Sequence, residues 1–306
     1  MAVKVNHNSF DPESRLMRLA RRLGMPRLST AMRRLYCPVS KSAFVLEVGS
    51  GDSPYPRSDV LLDASFEDYE RGGRLITDRP LVIALVNNLP FRDGVFDFSI
   101  ASQIMEHLSD PAGFIQELQR VSRAGYIETP DSILEELYPG TVHRLFVTQR
   151  DGTLLITKKP SWNVRPFIAE GWKAALHKSP ALRSYIRKHE GELLLKFYWS
   201  GTIPYEITND EVDCSWEIAH IPYFAVRKNS RRGLKFWARS LVYKYAKMRY
   251  RTRRDKMDLI GLLRCVDCFA SPLSRTEGDV HCPNCGRRYK MREGIPIMYP
   301  INQEWR

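Results

Sequence analysis

Four of the six cysteines cluster late in the sequence: Cys265 and Cys268 form one C-x-x-C pair and Cys282 and Cys285 another, with thirteen residues between the pairs. Two such pairs bring four thiolates within tetrahedral reach of one Zn2+ ion. A shell of four sulfurs leaves no position for substrate or water, so the expected metal is structural. Disulfides compete for the same residues. The stretch MAVKVNHNSFDPESRLMRLARR lacks the apolar run of a secretory signal, so the expected location is cytoplasmic, where thiols stay reduced and metal binding is favoured over cross-linking. Zinc would contribute about 10 kcal/mol or more to a segment too small to build its own core. Cys37 and Cys214 belong to neither pair and are expected to be free.

A second set of residues has binding chemistry. Glu47, Gly49, Ser50 and Gly51 follow the apolar run AFVL, where glycines allow a tight turn and a helix start would supply unpaired amides. Sixteen residues beyond Glu47, Asp63 closes the run VLLD, at the place where a carboxylate accepts hydrogen bonds from both hydroxyls of a ribose. A phosphate ligand is disfavoured, because the Lys-Ser/Thr of a P-loop is missing and Asp52 stands beside the glycines. The same acid tolerates a cationic sulfonium.

These residues need a scaffold, and 306 residues with 43% hydrophobic and 27% charged content are enough for a main domain and an appendage. AFVLEVG, SDVLLDA, LVIALV, FDFSIAS and AGYIETP read as five short strands, with a helix over PAGFIQELQRVS whose Phe114, Ile115, Leu118 and Val121 share one face. Strands alternating with helical segments imply right-handed crossovers and a mostly parallel sheet. HRLFVTQRDGTLLITKK predicts an antiparallel hairpin turning at Asp151 and Gly152, expected at the edge of that sheet. Residues 14–36 predict one or two covering helices interrupted at Gly24 and Pro26, and one helix is expected around 168–189. The predicted class is α/β, a Rossmann-like mostly parallel sheet with an antiparallel edge hairpin and a small C-terminal zinc-ribbon domain. The expected boundaries are 1–40 for a helical cover, 41–226 for the main domain, 227–257 for a connector helix and 258–306 for the ribbon.

The runs VLEVGSGDS and LLDAS, and above all NNLPFRDGVFDFSIASQIMEHLSDPAGFIQELQRV at 87–121, resemble the type-11 group of class I S-adenosylmethionine-dependent methyltransferases. The resemblance spans roughly residues 40–130. It implies that Glu47, Gly49, Ser50 and Gly51 hold the methionine end of S-adenosylmethionine, that Asp63 takes the ribose, and that Asn87, Asn88 and Leu89 lie near the adenine. Ser102 and His107 follow the fourth strand, at the carboxyl edge where such sheets place their sites; Ser102 is a candidate cofactor contact and His107 a candidate catalytic residue. The third glycine-loop position is Ser53 and the position before LPF that often carries an acid is Leu85, two departures from the family pattern. The tail, with CPNCGRRY and REGIPIM, resembles the small zinc-ribbon proteins that activate certain methyltransferases, here fused to its enzyme.

The formal charge of +12 is matched by one segment: residues 227–256 carry thirteen Lys or Arg against the single acid Asp255, interleaved with aromatics. Three readings stay open for it: a solvated helix on the core, a helix peripheral to an anionic membrane surface, and a polyanion surface, with nucleic acid the less favoured partner. The methyl acceptor implied by the resemblance is a small molecule, a saccharide or a lipid-linked glycan. SQIMEH stands where amino-methylating relatives carry an N-P-P-Y-type motif, which favours an oxygen or carboxyl acceptor. An RNA or translation-factor methyltransferase, and a non-catalytic cofactor-binding scaffold, are the alternatives.

Overall fold

The computed structural model of the chain describes residues 10–67, 73–216, 244, 245, 248, 250–301 and 303. The chain divides into two compact units, one of Met1–Pro38, Ser102–Pro111 and Tyr126–Phe224, the other of Val39–Ala101, Ala112–Gly125 and Ala225–Arg306.

The five predicted strands form: β1 (Val45–Val48), β2 (Val60–Asp63), β3 (Leu81–Ile83), β4 (Phe98–Ser102) and β5 (Ala124–Pro130). They belong to a six-stranded sheet of order β3-β2-β1-β4-β5-β8, where β8 is Leu194–Ser200. β1 pairs in parallel with β2, Leu46 opposite Val60, and with β4, Glu47 opposite Ile100; β2 pairs in parallel with β3. Every residue of β1, β2 and β3 is buried, as the unbroken apolar runs require of strands covered on both faces. α3 (Pro111–Val121) buries the face read from its period, with Phe114, Ile115, Leu118 and Val121 all fully inaccessible.

The second unit includes the C-terminal ribbon, β10 (Ser274–Arg275), β11 (Asp279–His281), β12 (Arg288–Arg292) and β13 (Ile295–Pro296), a consecutive antiparallel sheet. Glu293 and Gly294, both at positive φ (54° and 78°), make the two-residue turn between β12 and β13 whose twist suits a hairpin. The ribbon continues onto the main sheet. Ile297 bridges Ile83, Met298 N–H donates to Ile83 O at 2.7 Å, and Ile295, Ile297 and Tyr299 pack on a core of Leu61, Leu81 and Ile83. The open edge at β3 is thus closed by the chain's own tail.

The first unit holds α1 (Arg15–Arg22) and α2 (Pro26–Met32), broken at Gly24 (φ 71°), with Pro26 opening α2 where a missing N–H costs nothing. After α4 (Ser132–Leu137), the hairpin of β6 (Leu145–Arg150) and β7 (Thr153–Lys158) turns at Asp151 and Gly152, both at positive φ. It joins a separate three-stranded sheet instead of extending the parallel one, because β7 takes β9 (Tyr205–Ile207) as a parallel partner. The single helix expected near 168–189 is two, α5 (Pro166–Lys178) and α6 (Pro180–His189). Pro180 forces the break, and Ser179 caps the second helix by accepting Leu182 N–H at 3.2 Å.

Most of the basic connector, 227–243 with 246, 247 and 249, lies outside the described residues. Its described end, α7 (Arg251–Asp255), is anchored in the second unit. Arg253 pairs with Asp59 and donates to the carbonyls of Lys41, Ser42 and Ala43; Arg254 donates to Pro56 O and Ser58 O at 2.6 and 2.7 Å. Asp59 is wholly inaccessible and also accepts Val45 N–H and Arg57. Burial, with repulsion from Arg79, pulls the Arg254 guanidinium down to about 10. Arg253→Ala is expected to destabilise the chain by about 1.5–3 kcal/mol, the scale of a hydrogen-bonded charge, in urea melts; Arg251→Ala, an exposed neighbour paired with Asp255, is expected to change stability by under about 0.5 kcal/mol.

Candidate functional site

In the second unit, β1 ends in a loop built on two glycines at positive φ, Gly49 (69°) and Gly51 (56°), a conformation that side chains with a Cβ rarely adopt. Gly49 N–H and Ser50 N–H both donate to Leu62 O, which folds the loop onto the end of β2. There Asp63 accepts Gly51 N–H at 2.8 Å on one oxygen and Ala64 N–H at 2.9 Å on the other. Ser50 is 4% exposed and its hydroxyl has no hydrogen-bond partner among the described residues, a buried polar group that a ligand would satisfy. Gly49, Ser50, Gly51 and Asp63 are therefore brought together by backbone hydrogen bonds.

Glu47 does different work. Both its oxygens accept Tyr55 N–H, at 3.1 and 2.8 Å, and it accepts the Ser58 hydroxyl, so its carboxylate holds the return limb of the same loop. Asn88 and Leu89 are also engaged with protein. Asn88 Nδ2 donates to Val266 O at 3.0 Å, within the first cysteine pair, and Leu89 N–H donates to Glu117 at 2.6 Å. Arg120 clamps the turn that follows, donating to Leu89 O, Phe91 O and Asp93. Asn87 is exposed at a cavity of about 450 Å³ lined also by Glu117, Arg120 and Arg264.

The four cysteines converge. Cys265 and Cys285 sulfurs lie 3.7 Å apart, Cys268 and Cys282 sulfurs 3.5 Å, and all four fall within 4.8 Å of one another. Sulfurs bound at about 2.3 Å to a tetrahedral zinc stand about 3.8 Å apart. The two loops repeat one geometry: Cys265 N–H donates to Ala270 O and Phe269 N–H to Cys265 O, as Cys282 N–H donates to Arg287 O and Gly286 N–H to Cys282 O. The residue four past each first cysteine has positive φ, Gly286 at 77° and Phe269 at 61°; Phe269 accepts that strain with Arg264 stacked 4.7 Å from its ring. The Asn284 amide, with the Ala270 backbone amide, lowers the Cys268 thiol to about 6. At Cys285 the Arg287 amide pulls down, but the Cys268, Cys265 and Cys282 sulfurs push up, to about 12. Four sulfurs at this spacing could hold a metal ion.

In the first unit, Ser102 lies at the end of β4 and its hydroxyl donates to Glu128 at 3.1 Å. Glu128 is 1% exposed and is also held by Arg33 from the turn after α2, at 2.6 and 2.9 Å, and by Tyr126. Burial acts to raise the Glu128 pKa, but the Arg33 bonds outweigh it and the net shift is downward. Gln103, next in sequence, has φ 59° without being glycine, and its N–H donates to Glu128 O at 2.7 Å; such strain concentrates at binding sites. His107 stands in a 3-10 turn, its ring edge-to-face with His143 at 4.8 Å. Glu128, Arg33 and His143 were not singled out from sequence. No local motif marks them, since each acts through a contact distant along the chain.

Residues 47–127 match the family model of a methyltransferase domain. No curated protein matches the chain. Among solved structures, a chain of the complex between the Haloferax volcanii Trm112 methyltransferase activator and a protein described as a methyltransferase aligns at 15% identity and TM-score 0.35, over 61% of this chain and 95% of that one. The YcgJ protein of Bacillus subtilis aligns at 16% identity and TM-score 0.29, over 38% and 57%. An S-adenosylmethionine-dependent methyltransferase of Mesorhizobium loti aligns at 17% and 0.28, over 42% and 62%. The chain thus spans under two thirds of the last two, and likenesses of this degree carry no argument about substrate or partner. Among the described residues no helix is long and apolar enough to cross a membrane.

Arg33→Ala is expected to strand the buried Glu128 charge and destabilise the chain by about 3–5 kcal/mol at neutral pH. Because the folded Glu128 pKa is depressed, its contribution is complete above 4.5 and is lost as pH falls through the lower folded value. The difference in melting temperature between wild type and Arg33→Ala should therefore shrink once acidification passes below 4.5, and thermal melts across pH check it.

Proposed function

We propose that this chain is an S-adenosylmethionine-dependent methyltransferase that carries its own structural zinc ribbon. The observation that carries the reading is the Gly49 to Gly51 turn folded onto the Asp63 carboxylate at the carboxyl end of β2, beside the buried Ser50 hydroxyl, inside a segment matching a methyltransferase-domain family. Gly49 and Gly51 let the backbone approach the ligand, the Ser50 hydroxyl offers it a buried hydrogen bond, and Asp63 orients the ribose hydroxyls. The bound cofactor supplies a methyl group on a sulfonium, which a nucleophile displaces in line. The protein's part is positioning and exclusion of water, so no covalent intermediate is required. His107 is the candidate base, needed where the acceptor must lose a proton. An oxygen of a small molecule, saccharide or lipid-linked glycan is the acceptor proposed, supported by the SQIMEH sequence after β4.

Cys265, Cys268, Cys282 and Cys285 would hold the zinc, and the fit is supported by sulfur spacings of 3.5 and 3.7 Å. The ribbon is fastened to the cofactor-binding unit by Asn88 to Val266, by the bridge of Phe91 with Leu263 and by that of Ile83 with Ile297. Residues 258–306 thus act as an activator in cis, since a docked tether makes association intramolecular.

Calorimetric titration of the zinc-loaded chain should show saturable binding of S-adenosylmethionine and of its demethylated product. Asp63→Asn keeps the side chain's shape and removes its charge; it should weaken both ligands by about tenfold or more, the loss of about 1.5–3 kcal/mol expected for a charge-assisted hydrogen bond. A folded, zinc-loaded chain that ignores both ligands at about millimolar concentration, far above the dissociation constant expected of a working site, would remove the enzyme reading. Separately, stripping the metal with a chelator should lower the melting temperature and weaken cofactor binding together, because the cover over β3 goes with it. Unchanged binding by the stripped protein would make the ribbon an independent appendage.

A further inference from the structure

Glu106, His107 and His143 lie together in the first unit, each offering a ligand atom within 4.8 Å of the other two. The sequence separates His143 from the other two by α3, β5 and α4, so only the fold assembles the group. Arg144 N–H donates to Glu106 O at 2.6 Å and fixes the segment after His143 against the turn that carries Glu106 and His107.

Glu106 is 1% exposed. One of its oxygens accepts the Thr129 hydroxyl at 2.9 Å, and the other, Oε1, has no hydrogen-bond partner among the described residues. A buried carboxylate oxygen without a donor or cation is costly, so the site as it stands is incomplete.

His143 is prepared to complete it. Its Nδ1 lies 2.6 Å from Glu135 Oε2, while Glu135 accepts Lys159 Nζ at 2.7 Å and Gly140 N–H at 2.9 Å on its other oxygen. Lys159 is fully inaccessible and Glu135 is 2% exposed. With Nδ1 donating to the Glu135 carboxylate, the lone pair of a neutral His143 ring lies on Nε2. A carboxylate that orients an imidazole through Nδ1 is the arrangement that supports metal-ligating histidines. Two imidazoles and one carboxylate form a donor set suited to zinc and its neighbours, with ligand atoms at about 2.0–2.2 Å from the ion and about 3.4 Å from each other. Both histidine rings are half-buried, and a change in their χ angles would bring the ligand atoms from within 4.8 Å to that spacing.

We propose that Glu106, His107 and His143 form a second metal site, for a divalent ion of the zinc class, distinct in chemistry from the four-cysteine cluster. Three protein ligands, unlike four sulfurs, leave a coordination position for an exogenous oxygen. This holds whether or not the chain transfers methyl groups.

The test is cobalt titration of the full chain after chelator treatment. Thiolate-bound cobalt gives an intense charge-transfer absorption, whereas a site of nitrogen and oxygen ligands gives weak visible bands alone. The expected result is about two cobalt ions per chain with both signatures, and about one, with the thiolate signature intact, for His143→Ala and for Glu106→Gln. The retained thiolate bands report an intact cysteine cluster, circular dichroism and a cooperative melt report that the first unit of each variant is folded, and the wild-type stoichiometry needs no variant. Saturation of the wild type at about one ion with thiolate bands only, or variants that still take about two, would overturn the proposal.

Discussion

The structure of the second unit depends on one buried charge. Asp59, with no accessible surface, stands just before β2 and accepts Val45 N–H at the start of β1, so its carboxylate joins the two strands between which the glycine loop is strung. Removing such a group from water costs several kcal/mol, and Arg57 and Arg253 offset it. Arg57 comes from the loop itself, and Arg253 comes from the far end of the chain. The loop after β1 is therefore shaped from both sides: by Glu47 holding Tyr55 N–H and the Ser58 hydroxyl, and by Arg79 and Arg254 filling the Ser58 carbonyl.

This constraint gives the basic segment a partly structural meaning. At its described end Arg253 neutralises a buried acid and, with Arg254, satisfies carbonyls. The ribbon continues the logic. Its four sulfurs fix two small loops, and those loops hand the chain back to the sheet, so that Met298 and Ile297 run beside Ile83. A metal held by the four cysteines would thereby stabilise the edge of the sheet whose other strands carry Asp63 and the glycines.

The first unit applies the same physics to other acids. Glu128 is buried and satisfied by Arg33, Tyr126 and Ser102; Glu135 is buried and satisfied by Lys159, His143 and Gly140. Glu106, equally buried, retains an oxygen with no partner among the described residues. The contrast between two completed carboxylates and one incomplete one is what singles out Glu106, since burial alone would not.

Local chemistry was legible in the sequence wherever neighbours in the chain are neighbours in space. The parallel strands, the helix face of α3, the Asp151-Gly152 turn, the break at Pro26 and the two cysteine pairs all follow from period, turn residues and spacing. So did the setting of Asp63, because the hydrogen bonds that place it come from Gly51 and Ala64 nearby. Long-range pairing was not legible: that the hairpin would take β9 as a partner, that Asn88 would reach Val266, that Arg253 would find Asp59, or that His143 would meet Glu106 and His107. The reason is physical. A periodic pattern states which face of an element avoids water, but which distant face or charge covers it is settled by the collective packing of the whole chain, and only tertiary structure carries that.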